Sequence, residues 1–384
     1  MANILLTGGR APVTLTLARL FAQANHTVFS AESAPYHLCR ASSAIRRSYQ
    51  TPSPKAAPVA YLDALTTIIQ HEQIDYLIPT CEEIFYIAQG RAHLSNHCTV
   101  LVDALDQLHR VHNKWLFIQT AEQLNLLVPQ TILLTCPQDL LALGKQTAAL
   151  VLKPVYSRFA TATRLPPHSA TDLCKIIPTP AFPWIAQAYI TGAAFCTYSI
   201  AQQGRLVAHA TYPVTFKAGQ GAAIVFEACE QPQALAWVQR FVSQTHFHGQ
   251  IAFDFIQRAD GELLAIECNP RATSGLHLFG QDLRLVAALL GQSVGLVKPI
   301  AGQLPMLALA MLLYGLPSVR SMAALRQWGQ IFLRGQDVIF QRADPLPWFA
   351  QFASLWQFWR WSRKYRVGIV EATTLDIAWN GETR

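Results

Sequence analysis

Apolar positions in the first 110 residues alternate between short runs and helical spacings. Residues 2–7 form an apolar run that predicts a strand and ends in Thr7-Gly8-Gly9-Arg10. Val13, Leu15, Leu17, Ala18 and Phe21 then follow a helical pattern, and a second strand is predicted at 26–30. A further strand at 75–79 leads into Thr80-Cys81-Glu82-Glu83. Strands alternating with helices predict an open parallel sheet, whose ligand crevice lies just beyond the strands' carboxyl ends. Glu82 and Glu83 therefore have two readings: contacts to an amine in that crevice, or the acidic first turn of the next helix. The Gly8-Gly9-Arg10 turn has two as well. It is either a phosphate-binding loop or a tight turn from strand to helix, since it lacks a full GxGxxG and a Walker lysine.

Beyond a boundary near residues 110–114, the pattern predicts a helix at 113–124 and a strand at 131–134. A strand at 150–152 then delivers Lys153-Pro154. Strands follow at 195–200 and 205–211. The basic loop at 215–223 carries Lys217, Gly219 and Gly221, and is either a permissive hairpin loop or an active-site loop whose amides approach an anion. A helix is predicted at 232–245. His246 and His248 sit in the loop after it without a third ligand, so they read as structural or as support behind a site rather than as metal ligands.

The richest stretch is 251–269, where two apolar runs flank Asp260-Gly261. Asp-Gly between such runs predicts a hairpin with a two-residue turn. A turn centred there sets Gln257 opposite Leu264 and Asp254 opposite Glu267, with Glu267 and Asn269 on one face. Facing carboxylates with β-carbons roughly 5 Å apart repel unless a cation lies between them. An all-oxygen set of Asp254, Glu267 and Asn269 suits Mg²⁺. Arg271, two residues past Asn269, is placed to meet phosphate oxygens at the strand exit.

The last 85 residues carry an uncharged stretch at 304–319, interrupted by Pro305 and Pro317. It falls short of the ~20 residues a membrane span needs, so a buried helix is expected. Trp348, Phe352, Trp356 and Trp359 mark one face of a later helix, beside Arg360, Arg363, Lys364 and Arg366. That face either packs on the body of the protein or lies on a membrane surface.

Composition narrows the class. A chain of 384 residues holds two or three domains, and 51% hydrophobic with 14% charged residues describes a compact globular protein. Eight cysteines without a CxxC pair read as reduced thiols of a cytoplasmic protein, and the opening strand leaves no room for a secretory leader. The net charge of +7 comes without a helix-turn-helix, RNP or zinc-finger pattern, so nucleic acid is not an expected partner. Positive charge also suits an enzyme that handles ATP and a carboxylate.

The segment Asp254-Phe255 … Glu267-Cys268-Asn269-Pro270-Arg271 resembles the metal-binding hairpin of the ATP-grasp superfamily, in the branch of carbamoyl-phosphate synthase large chains. More loosely, Phe195-Cys196-Thr197, Leu333-Arg334-Gly335-Gln336-Asp337 and Asp344-Pro345-Leu346-Pro347 are similar to the mycosporine-glycine ligase group, which joins glycine to a cyclohexenone. The resemblance implies an α/β and α+β ATP-grasp fold. Its parts would be a Rossmann-like domain at 1–110, a small lobe at 111–190, a large lobe with the metal hairpin at 191–300, and a Trp-rich helical extension at 301–384.

It also implies ATP and Mg²⁺ as cofactors, with Asp254, Glu267 and Asn269 as metal ligands. Lys114 and Lys153 would contact the phosphates, and Arg271 the γ-phosphate or a phosphorylated intermediate. Asn269 and Lys217 complete the catalytic set. The loop at 155–161 lacks the family's usual glycines, so Ser157 and Arg158 would supply its donors. At the hinge, Ala188 and Ala193-Ala194 stand where the family commonly has glutamates, leaving backbone groups of Gln187, Ala188, Tyr189 and Ile190 for adenine. Thr273, Ser274 and His277 would line the acceptor pocket, with a core role for His277 equally open. The implied activity is an ATP-dependent carbon–nitrogen ligase that phosphorylates a small carboxylate or enolate and couples it to an amine or amino acid. The rivals are a phosphorylating enzyme without the amine step, a degenerate nucleotide-binding protein and a membrane-associated scaffold. A homodimer is left open.

Overall fold

The computed structural model describes residues 1–382 apart from 159–161, 220 and 293–294. Five short strands open the chain: β1 (Asn3–Thr7), β2 (Thr27–Glu32), β3 (Arg47–Gln50), β4 (Tyr76–Ile78) and β5 (Thr99–Val100). They form a parallel sheet in the order β3-β2-β1-β4-β5. Ile4, Leu5 and Leu6 are fully buried, as expected of a strand covered by helices on both faces. The strand order reverses between β1 and β4, which makes the gap beyond their carboxyl ends a topological switch point. At that point Gly8 has φ +74°, and a Cβ there would lie 2.5 Å from Thr80 Oγ1. Its carbonyl accepts from Ala11 N (3.0 Å) and Thr14 Oγ1 (2.6 Å). Arg10 is buried on Glu32 and Asp376. The glycines here make a tight turn, and the arginine beside them is structural.

Helices Leu105–His112 and Lys114–Gln123 follow, with Asn113 Oδ1 capping the second through Leu116 N (3.0 Å). Strands β6 (Thr131–Leu134), β7 (Leu150–Pro154) and β8 (Trp184–Ala188) form a small antiparallel sheet in the order β6-β8-β7. A larger sheet is built from β9 (Ala193–Gln202), β10 (Arg205–Pro213), β13 (Gly249–Gln257) and β14 (Leu263–Asn269), in the order β10-β9-β13-β14. The two-stranded hairpin of β11 (Lys217–Ala218) and β12 (Ala222–Ala223) lies between β10 and β13 in sequence. Gly192 joins the two sheets, and any Cβ there would sit 1.9 Å from Gln257 O, so the turn requires glycine.

Alternation along β13 sends Phe253 and Phe255 into an aromatic core with Trp237 and Phe241 of helix Pro232–Thr245 and Phe117 of helix Lys114–Gln123. Asp254 is left on the opposite face. The hairpin differs from expectation in its turn. The chain reverses through three residues, Ala259–Asp260–Gly261, with Arg258 N donating to Glu262 O (2.8 Å) and Gly261 at φ +90°. Gln257 therefore pairs with Leu263 rather than Leu264. A bulge then leaves Ile266 unpaired and restores the expected pairing of Asp254 with Glu267.

The 304–319 stretch is not the expected buried helix. It breaks into a short strand at Pro305–Met306 and three brief helical turns ending at Ser318, with Leu312, Leu313, Tyr314 and Leu316 exposed. Pro305 and Pro317 cannot donate in a continuous helix, so apolar composition alone overstated its burial. The long helix Leu346–Tyr365 packs beside residues 36–41, and the chain then returns across the first domain. There Trp379 is buried and stacked on Phe85 at 4.7 Å. No helix among the described residues is long and apolar enough to cross a membrane.

Candidate nucleotide and metal site

Three elements converge on the hairpin. β14 carries Glu267 and Asn269, and β13 sets Asp254 opposite Glu267. Helix Lys114–Gln123 begins with Lys114, whose Nζ lies 3.4 Å from Glu267 Oε1 and donates to Ser157 O at 3.1 Å. β7 delivers Lys153, whose Nζ donates to Ile266 O at 3.1 Å. The acceptor is the residue left unpaired by the bulge, so the irregularity that aligns the carboxylates also supplies a carbonyl for this lysine.

Both lysines are buried. Burial draws the Lys153 ammonium down to about 8, against the pull of Glu267 and Asp254, and Lys114 lowers it further. Burial and the neighbouring Glu267 push Asp254 up to about 6. The half-buried Cys196 thiol on β9 donates to Asp254 and is itself raised, first by desolvation and then by that carboxylate. A carboxylate held this high favours a cation. Among the described residues no group of three or more His, Cys, Asp or Glu is arranged to hold a metal ion. The set here is two carboxylates and the Asn269 amide, a hard-oxygen donor set that fits Mg²⁺.

Arg271 donates to Asn269 Oδ1 (3.3 Å) and Ala272 O (3.2 Å), and stands 4.0 Å from Glu82 Oε1. The two readings of the Glu82-Glu83 pair thus separate. Glu83 is buried beneath the turn, accepting from Thr7 Oγ1 (2.7 Å) and Cys81 N (3.0 Å). Glu82 faces the site between Arg271 and Arg158. Arg158 is held by Glu82, Asn380 Oδ1 (3.0 Å) and the Trp379 carbonyl, so its donors here serve protein acceptors. Sequence reading left the part of Glu82 undecided and missed Trp379 and Asn380, whose place depends on contacts more than 200 residues away. The rest of the glycine-free loop, residues 159–161, lies outside the described residues.

At the hinge, Gln187 Nε2 donates to Thr131 Oγ1 (3.1 Å), Ala188 N to Gln130 O (2.8 Å) and Tyr189 N to Ala149 O (2.9 Å). These amides are therefore engaged with the strand ends. Tyr189 is exposed and Ile190 half-buried. Lys217 is exposed on β11, and its charge is felt at Cys196. The loop it opens includes Gln220, which lies outside the described residues. Thr273 and Ser274 lead into the short helix Ser274–Phe279. His277 has the core role: it is buried against Thr16 Oγ1 (2.9 Å), and burial holds it at about 3. A cavity of about 230 Å³ lies beside Ser157 and Arg158, walled by Lys55, Tyr156 and Glu371. A wider cleft of about 850 Å³ lies elsewhere, near Arg91, Arg205 and His248, and holds none of these groups.

No protein-family model and no curated protein matches the chain. Solved structures do. An N5-carboxyaminoimidazole synthetase from Staphylococcus aureus aligns with TM-score 0.62 at 14% identity, covering 83% of this chain and 85% of that one. A biotin carboxylase from Campylobacter jejuni, in a β-γ-ATP complex, aligns with TM-score 0.61 at 12% identity, covering 77% of this chain and 72% of that one. An L-amino acid ligase from Bacillus licheniformis aligns with TM-score 0.59 at 16% identity over 78% and 75%. The parallel sheet, the small antiparallel sheet and the sheet bearing the carboxylate hairpin together are the fold of the ATP-grasp superfamily, and this chain has that fold.

Proposed function

We propose that the chain is an ATP-dependent carbon–nitrogen ligase that uses Mg²⁺. The observation that carries this reading is the opposition of Asp254 and Glu267 beside two buried lysines from separate elements. In this reading residues 111–190 and 191–300 are the lobes that enclose the nucleotide. Asp254, Glu267 and Asn269 hold the metal, which when bound neutralises charge on the transferring phosphoryl group. Lys114, Lys153 and Arg271 hold the phosphate oxygens, with Ser157 and Arg158 at their edge and Lys217 on the hairpin beside the acceptor. Gln187, Ala188, Tyr189 and Ile190 border the base.

The substrate is a small carboxylate or enolate, whose oxygen takes the γ-phosphoryl group and whose phosphate is then displaced by an amine or amino acid. The names of the structural neighbours, a carboxyaminoimidazole synthetase, a biotin carboxylase and an amino acid ligase, support this chemistry. No general base is assigned: positioning and charge stabilisation drive such a transfer.

The experiment is Mg²⁺-dependent ATP binding and hydrolysis by wild type and Glu267→Ala, with and without pools of amino acids and small carboxylates. Release of ADP and phosphate that rises with an amine and vanishes in Glu267→Ala is the expected result. Release indifferent to every amine replaces the ligase with a simple phosphorylating enzyme. A second reading, a nucleotide-free scaffold, draws on the hinge alanines and the engaged hinge amides. It takes over if the wild type binds no nucleotide.

A further inference from the structure

The helix Leu346–Tyr365 is turned against the usual rule. The side chains it buries include Gln351, Ser354 and Gln357, while Phe349, Phe352, Leu355, Trp356 and Trp359 are each 41–61% exposed. The anchored side meets the protein at Gln357, whose Oε1 accepts from Tyr36 N (3.0 Å), beside the buried Phe358 ring. Just before the helix, buried Asp344 binds Arg19 (3.0 Å) and Ser42 Oγ (2.6 Å), which fixes how the helix enters. An amphipathic helix in a self-contained domain buries its apolar stripe. This one is fastened by its polar side and presents a row of aromatic side chains outward, with Tyr36 of the first domain beside Trp356.

Charge indicates what the row meets. Residues 301–366 contain eight Lys and Arg against two Asp, and so hold most of the chain's +7. One of those aspartates, Asp344, is spent on Arg19. Arg360, Arg363, Lys364 and Arg366 are exposed at the end of the aromatic row, and the Arg360 guanidinium lies 4.8 Å from the Trp356 ring centre. A second copy offering the same face would bring two surfaces of strong positive charge together. Exposed Trp and Phe flanked by Arg and Lys match the interface of an anionic bilayer, where the rings enter the headgroup boundary and the cations meet lipid phosphates.

We propose that this face docks the protein on anionic phospholipid membranes, with the helix lying in the interface plane. This goes beyond the ligase reading and does not depend on it.

The test is sedimentation of the full chain with vesicles of phosphatidylcholine alone or mixed with phosphatidylserine. Binding to the mixed vesicles that falls with added salt is expected. Arg360→Gln and Arg363→Gln should each weaken it roughly fivefold, as expected for one basic residue at an anionic surface. Trp356→Ser with Trp359→Ser should abolish it. Both rings are about half exposed and the anchored side is untouched, so that variant should stay folded, with a cooperative melting curve as the check. Quenching of wild-type tryptophan fluorescence by brominated lipid gives a readout that needs no variant. Failure to bind mixed vesicles, or binding unchanged in the tryptophan variant, overturns the proposal. Self-association without lipid that the tryptophan variant loses, with no vesicle binding, assigns the face to a second copy instead.

Discussion

Replacing Lys153 with methionine should make the ligand-free protein more stable while removing its hold on nucleotide. Lys153 is 5% exposed, and its ammonium is drawn from 10.5 to about 8, first by burial. Keeping that charge in place at pH 7 costs about 3 kcal/mol relative to the unfolded chain. Methionine fills a similar volume without charge, but it leaves the Ile266 carbonyl without its donor, a loss of about 1–2 kcal/mol. The balance is a gain of about 1–2 kcal/mol at pH 7. Asp254, already at about 6, takes up a proton when the cation leaves, which limits the repulsion with Glu267.

The pH dependence has a fixed sign. Between about 8 and 10.5 the unfolded chain binds more protons at this lysine than the folded one, so wild-type stability gains from this group as pH rises. Lys153→Met lacks that gain, so its advantage should vanish near pH 9 and turn into a deficit of about 1 kcal/mol by pH 10. Urea unfolding followed by circular dichroism at pH 7 and pH 10 reads the midpoints, and an unchanged slope keeps the comparison valid. A variant less stable than wild type at pH 7, or a difference that ignores pH, refutes the reasoning. Such an opposition of stability and binding is expected where a charge is held buried for function.

Three further outcomes follow from particular contacts. Burial opposes the Glu32 charge, but Arg10 outweighs it and holds the carboxyl at about 2; its contribution is therefore full at neutral pH and lost as pH falls from 4.5 to about 2. Glu32→Gln should cost about 3 kcal/mol at pH 7 and flatten the acid limb of an unfolding titration. Trp379→Ala removes a buried ring stacked on Phe85 and should cost about 3–5 kcal/mol in urea unfolding. Because the hinge amides of Ala188 and Tyr189 already donate to protein carbonyls, ATP and GTP should compete within about tenfold of one another. A preference of about a thousandfold would place base recognition on groups outside this hinge.

The sequence was most legible where structure is local and periodic. Alternation in 251–269 gave the hairpin, the buried faces of Phe253 and Phe255, and the opposition of Asp254 to Glu267. That last pairing came out for an incomplete reason. The three-residue turn shifts the register by one, and the Ile266 bulge shifts it back, so two features that Asp-Gly does not encode cancel at the site. Spacing also gave a helix through Trp348, Phe352, Trp356 and Trp359 and its aromatic face, but not that the face points away from the protein. Which of Glu82 and Glu83 enters the crevice depends on Arg158 and Arg271 arriving from distant segments. The return of Asp376 and Trp379 across the first domain leaves no local pattern, because its partners lie some 300 residues earlier.

The site's own ion pairs bear on how it would fill. Glu267 is matched by Lys114 at 3.4 Å and Glu82 by Arg158, while among the described residues no ion pair reaches Asp254. Asp254 is accordingly the carboxylate pushed up to about 6, first by burial and then by Glu267. Lys114 cannot serve Glu267 and a phosphate equally. A cation at Glu267 frees Lys114, and an anion at Lys114 frees Glu267, so either ligand removes part of the cost of binding the other. The two binding events are then coupled, and the coupling must be equal in both directions. In Lys114→Met the shared pair no longer exists, and titration of nucleotide with and without Mg²⁺ should show the metal's help reduced. Undiminished help in that variant would mean that the Lys114–Glu267 pair is incidental to binding.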